Sequence, residues 1–184
     1  MMKMIFLYAF IALNILSCER QENDPLPQQP ADLNLSVSTE SMLQADNAFG
    51  FDIFRMIVKN SSSANEFISP TSIAMALAMT YNGARGETKE AMEEALYKQG
   101  LTTEEINSGY KSLLNALKSI DERVILEIAN SIWYDDQKIS VLQSFIVENQ
   151  DVYNAEIQKL DFNSATAVDK INGWVEDKTH GIIP

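Results

Sequence analysis

The sequence predicts a mixed α/β fold in which several helices pack on part of a sheet that is incomplete. Three observations predict it. Most of the chain beyond residue 46 carries apolar residues at helical spacing. One segment, Val124 to Tyr134, is instead apolar on both alternating faces, the pattern of a strand covered on two sides. The strand candidates are also too few to satisfy one another, since every unpaired strand edge presents a row of free N–H and C=O groups.

The elements follow in order. From Asp46 the pattern is helical, with Phe49, Ile53, Phe54, Ile57 and Val58 along one face. Asn60 to Asn65 is a polar loop, and Glu66 to Ser69 is a short strand candidate. Ser69-Pro70 then opens a helix, with Ser as N-cap and Pro at the first helical position, where a missing N–H costs nothing. That helix runs from Thr71 to Asn82 and is apolar nearly all round, which places it at a domain centre; Gly83 ends it. Gly86 to Thr88 starts the next helix, with Met92, Ala95 and Leu96 inward and Gly100 as its stop. Thr102 and Glu105 form a capping box before a stripe of Ile106, Tyr110, Leu113, Leu114 and Leu117.

Within the strand Val124–Tyr134, residues 124, 126, 128, 132 and 134 supply one apolar face, and Ile125, Ala129 and Trp133 supply the other. Ser140 caps a further helix, with Leu142, Phe145, Ile146 and Tyr153 inward. Ala155 to Phe162 reads as a second strand of the sheet. Ser164 opens a last helix, with Val168, Ile171, Trp174 and Val175 inward.

Ahead of the folded part, residues 1–17 are a signal peptide: Lys3 supplies the positive start, and Met4 to Leu16 is an apolar run too short for a comfortable membrane span. Ile15-Leu16-Ser17-Cys18 resembles a lipobox, the motif cut by the bacterial lipoprotein signal peptidase. The resemblance implies that Cys18 is the lipid-attachment residue. The protein is then exported and anchored to the bacterial outer membrane or cell surface, facing outside the cytoplasm. Residues 18–40 are polar and hold Pro25, Pro27 and Pro30, the composition of a flexible linker. The folded domain is assigned to residues 41–184.

Composition excludes several functions. The formal net charge of −12 repels phosphate backbones, so no nucleic-acid partner is expected. A single cysteine, Cys18, and a single histidine, His180, supply no disulfide, no metal-ligand set and no Cys–His nucleophile. His180 reads as a side chain favoured by a helix C-terminal dipole. Asp135-Asp136 and Glu93-Glu94 read as solvated charges. No catalytic residue, metal or cofactor is expected, and the chain is not read as an enzyme.

Seven segments, in order, resemble those of serpins: Asn47 to Phe54, Phe67 to Tyr81, Gly83 to Thr88, Ala129 to Trp133, Tyr153 to Glu156, Asp161-Phe162, and Ile171 to Gly181. The resemblance runs nearly unbroken from residue 46 and identifies residues 41–184 as a partial serpin domain. It implies a large central sheet, to which Val124–Tyr134 and Ala155–Leu160 contribute, with Ser69–Asn82 buried behind it and Ser164–Thr179 lying across it. It implies that Phe67, Ser69 and Ser72 belong to the shutter, where the sheet parts to admit a reactive loop; helix capping alone also accounts for Ser69.

The resemblance further implies inhibition of serine-type, or secondarily cysteine-type, endopeptidases. The partners expected are a target protease and the membrane, through the lipid on Cys18. No reactive-centre residue is identified: that loop is expected beyond residue 184, in the missing C-terminal part of the domain. Some serpins bind heparin through a basic helix. The matching helix, Thr103 to Ile120, sets Lys111 and Lys118 against Glu104 and Glu105, so no heparin is expected. The alternative reading is a non-inhibitory surface lipoprotein domain that binds a protein partner.

Overall fold

The structure, a computed structural model, describes residues 35–63, 65–119, 121 and 123–183. They form α1 (Val37–Asn60), α2 (Pro70–Tyr81), α3 (Gly86–Ala95), α4 (Thr103–Ser119), β1 (Ser131–Tyr134), α5 (Gln143–Tyr153), β2 (Glu156–Lys159) and α6 (Ala167–Lys178). The result is a set of helices around a small, incomplete sheet. No helix among the described residues is long and apolar enough to cross a membrane.

Helix α1 starts at Val37, capped by Ser36, whose hydroxyl accepts from Thr39 N at 3.2 Å. This corrects the 18–40 linker at its C-terminal end, because Val37 to Glu40 are helical and Thr39 and Met42 are buried. The Ser36 cap and an acidic first turn at Glu40 start the helix before the apolar pattern of residue 46 begins. Residues 1–34, with Cys18 and the signal segment, lie outside the described residues.

The core joins Met42 of α1, Met75, Ala78 and Met79 of α2, Ile106, Tyr110 and Leu114 of α4, and Val152 and Tyr153 of α5. Two glycines allow this approach. A Cβ on Gly50 would lie 3.0 Å from Pro70 Cβ, and one on Gly109 would lie 2.9 Å from Met42 Sδ. The capping box is formed: Thr102 Oγ1 accepts from Glu105 N at 3.2 Å, and Glu105 Oε2 accepts from Thr102 N at 2.8 Å.

Polar side chains tie the helices together where the apolar pattern is silent. Asn107 donates to Asn82 Oδ1 (3.0 Å) and Glu148 Oε1 (2.7 Å), and accepts from Tyr153 OH (2.9 Å). Asn82 in turn donates to Asn149 Oδ1 at 3.2 Å. Burial drives the Tyr153 phenol well above its ordinary range, so it stays a donor.

A buried ion pair holds α1 to the turn after α3. Lys98 Nζ, 1% exposed, lies 2.5 Å from Asp46 Oδ1, and the same oxygen accepts from Tyr110 OH at 2.9 Å. Burial, and then the Asp46 charge, push the Tyr110 phenol far up.

Several expected elements are shorter or absent. Glu66–Ser69 is not a strand. The strand expected over Val124–Tyr134 is reduced to β1, because β2 supplies the sole partner among the described residues and reaches only four positions, in parallel register from Ser131↔Glu156 to Tyr134↔Lys159. Residues 124–126 are exposed rather than covered. Helix α2 is buried on one side only: Ala76, Leu77 and Thr80 are exposed, since no described element covers that side. Ser140 and Ser164 do not cap helices; α5 follows Leu142 and α6 follows Thr166, neither with a side-chain cap bond. Leu142 and Val168 point outward, at 68% and 65% exposure.

Substituting Lys98 by Met leaves the Asp46 carboxylate buried without its cation. The expected loss is about 3–5 kcal/mol of stability, measured by urea unfolding, and pairing Lys98→Met with Asp46→Leu is expected to restore part of it.

Candidate functional site

An extended segment, Ile125 to Ala129, leads into β1 and makes no backbone-to-backbone hydrogen bond among the described residues. Its first such bond is from Glu156 N to Asn130 O, at 2.9 Å, where β2 begins. The outer edge of β1 is likewise unpaired among these residues, because the sheet order is β1-β2. Beside this edge, between α2 and α6, lies a groove of about 500 Å³. Ser69, Ser72 and Met75 line one wall, Leu126 to Asn130 a second, and Trp174 and Val175 of α6 a third.

The family resemblance groups Phe67, Ser69 and Ser72 in one region. The structure brings together only the two serines. Ser69 and Ser72 hydroxyls lie 2.8 Å apart, and Ser69 Oγ accepts from Ser72 N at 3.4 Å, so Ser69 caps α2 while both face the groove. Phe67, 96% exposed, lies instead at a second, apolar groove with Leu43, Phe51, Phe54 and Pro70.

Side-chain ties hold α6 over the sheet. Ala167 is the only fully covered residue of this helix, and Ile171, Trp174 and Val175 are half-buried. Trp174 meets Trp133 of β1 edge to face, with centroids 6.5 Å apart. Its Nε1–H donates to Glu156 Oε2 at 3.0 Å, and Lys178 Nζ reaches Glu156 Oε1 at 2.6 Å. Lys178, and then Trp174, hold the Glu156 carboxyl below the usual range, while Glu156 raises Lys178. His180 Nε2 lies 2.6 Å from Glu127 Oε2, joining the end of α6 to the segment before β1.

The apolar face of α6 is legible as a 3–4 spacing, whereas Glu156, Lys178 and Glu127 lie outside that pattern. A cation four residues after Trp174 on the same helical face was the available signal. No group of three His, Cys, Asp or Glu side chains among the described residues is placed to hold a metal ion.

The geometry of a half-paired sheet roofed by one helix has a counterpart among known proteins. The family model for serpins, serine protease inhibitors, matches residues 44–184. The chain belongs to the serpin family. A leukocyte elastase inhibitor of Bos taurus is 35% identical to this serpin over 147 residues, covering 79% of this chain and 38% of the relative. An uncharacterized serpin-like protein of Thermococcus kodakarensis is 32% identical over 178 residues, covering 89% and 41%. Human glycosylated kallistatin superposes with a TM-score of 0.73 at 22% identity, covering 80% of this chain and 40% of its own, a likeness of fold. Native protease nexin-1, solved with heparin, gives 0.69 at 27% identity, covering 79% and 38%. The chain therefore spans about two fifths of the length of the relatives it matches.

The tie between Glu156 and α6 sets a pH dependence. A carboxyl lowered in the folded state contributes stability above its unfolded value and loses it as pH falls through the folded one. Tryptophan emission, which reports Trp133 and Trp174 alone, is expected to stay level down to the ordinary glutamate value of about 4.3 and to change below it. Glu156→Gln is expected to remove that step; a step above pH 5 contradicts the assignment.

Proposed function

We propose that the whole protein is a serpin-type inhibitor of serine endopeptidases, tethered to the bacterial surface by lipid on Cys18, and is not an enzyme. The observation that supports this reading most is the open edge of β1 beside the groove under α6. Adding one extended strand there satisfies a row of backbone donors and acceptors in a single step, and that gain can drive a trapped fold to its minimum. In this reading the inserted strand is the reactive loop of the whole protein. Ser69 and Ser72 then form a shutter wall, exchanging their mutual hydrogen bond for bonds to the incoming strand. Phe67 stands behind them on the far side of the α2 start. Family membership and likeness to an elastase inhibitor favour serine endopeptidases as targets.

A second reading, a non-inhibitory lipoprotein that binds a protein partner, draws on the apolar groove around Phe51, Phe54 and Phe67, which are 71%, 45% and 96% exposed. The two readings separate in one experiment on the protein isolated from its source organism. Incubation with elastase-like and trypsin-like serine proteases is expected to give a denaturant-resistant protease adduct with loss of protease activity. Cleavage without an adduct, across the panel, favours the second reading.

The tether is tested independently. Cys18→Ala is expected to abolish incorporation of radiolabelled fatty acid and to leave the signal peptide uncut, with the protein lost from the detergent phase. A variant that fractionates and processes like the wild type removes lipid anchoring at Cys18 from the account.

A further inference from the structure

We propose that the recess bounded by β1 and by the starts of α3, α4 and α5 binds a small organic anion, an aromatic body carrying one acidic head group. The inference rests on a region away from the groove beneath α6 and stands whether or not the protein inhibits a protease.

The recess holds about 1000 Å³, the upper end of the roughly 300–1,000 Å³ in which proteins hold small molecules. Part of its lining is apolar: Ile132 and Trp133 of β1, with Leu142 and Phe145 at the start of α5. Leu142 is exposed there, and Trp133 and Phe145 are half-buried. Side chains of this kind gain by covering the flat face of an aromatic ring.

Another part of the lining is cationic. The chain has 14 Lys and Arg against 26 Asp and Glu, yet Arg85 and Lys89, one turn apart at the start of α3, both line this recess. Neither makes an ion pair among the described residues. Neutral groups hold them instead. Arg85 Nη1 donates to Ala84 O at 2.7 Å and to Asn82 O at 3.4 Å. Lys89 Nζ donates to Thr103 Oγ1 at 3.0 Å and lies 5.1 Å from the centre of the Tyr81 ring. A guanidinium has five N–H donors and an ammonium three, so both side chains keep donors to spare. Cations fixed in this way need little reordering to meet an anion from outside. The helix does not account for Arg85 either. It stands at the N-cap of α3, where an oxygen acceptor is favoured, and makes no side-chain cap bond.

Two carboxylates share the recess. Glu148 is engaged by Asn107 Nδ2 at 2.7 Å. Glu104 is exposed in the first turn of α4, where the helix dipole stabilises it. Both disfavour a polyanion, which restricts the ligand to one acidic head on an apolar body.

The probe is the dye anilinonaphthalene sulfonate, and its control is phenylnaphthylamine, the same body without the sulfonate. Each is titrated into the full chain and followed by the indole N–H signals of the two tryptophans. Trp133, whose Nε1–H donates to Ser131 Oγ at 3.0 Å, lines the recess and Trp174 does not. The sulfonate is expected to shift the Trp133 signal saturably. It is expected to bind about tenfold more tightly than the control, the effect of one charged hydrogen bond. Arg85→Gln and Lys89→Gln are each expected to weaken the sulfonate by a similar factor and to leave the affinity for the control unchanged, which also shows that the variants fold. Phe51→Ser, in the separate apolar groove, is expected to keep the Trp133 shift. A Trp133 signal unmoved at saturating sulfonate, equal affinity for the two probes, sulfonate affinity unchanged in either cation variant, or a shift lost in Phe51→Ser overturns the site.

Discussion

A strand must have its backbone donors and acceptors satisfied, and among the described residues β1 is satisfied on one side only. The pairing with β2 covers four positions; beyond them the chain from Ile125 to Ala129 is extended without a backbone partner among the described residues. An edge of that kind, close to Leu126 and Ile128, is either completed by another strand or becomes a template for unwanted pairing. The placement of α6, the groove beside α2 and the proposed mode of action all follow from how that edge is left.

The helical framework that presents the edge is rigid for a different reason. Met42, Met75, Ile106, Tyr110 and Tyr153 make an apolar core. Within it Asn107 is held by three hydrogen-bond partners, and the Lys98–Asp46 pair is bonded by Tyr110. A buried polar group in a low-dielectric setting either finds its partners or is costly, so such contacts select one arrangement of helices over its neighbours. Among the described residues helix α6 has no comparable buried polar anchorage. It is held by a tryptophan pair, the Glu156 tie and the His180–Glu127 contact, interactions weak enough to open. The helical base is thus held by buried polar contacts and the cover by largely exposed ones.

Much of this was legible in the sequence, for physical reasons that differ by element. The stripe from Ile106 to Leu117 and the Thr102–Glu105 box read directly, because helical period and capping chemistry are local. The Ser69-Pro70 start read for the same reason. What failed was non-local. Val124–Ala129 has strand composition but no partner in the described fold, and composition does not reveal the partner. Val168 and Leu142 are apolar by spacing yet exposed, since nothing described lies over them. The start of α1 at Val37 was missed because its first turns, Ser-Thr-Glu-Ser, carry little apolar signal. Of the residues lining the groove, Ser69 and Ser72 stand in a segment that resembles the family's, whereas Glu127, Glu156 and Lys178 pair across elements far apart in sequence and carry no local mark.

The most direct test of the central claim is residue-resolved amide exchange of the full chain, with and without a synthetic extended peptide of alternating apolar and small residues. The account predicts that peptide binding confers new protection on residues 124–134 and on no other strand-like segment. Protection that instead gathers around Phe51 and Phe67, or amides of 124–134 that exchange at the same rate with saturating peptide, contradicts it.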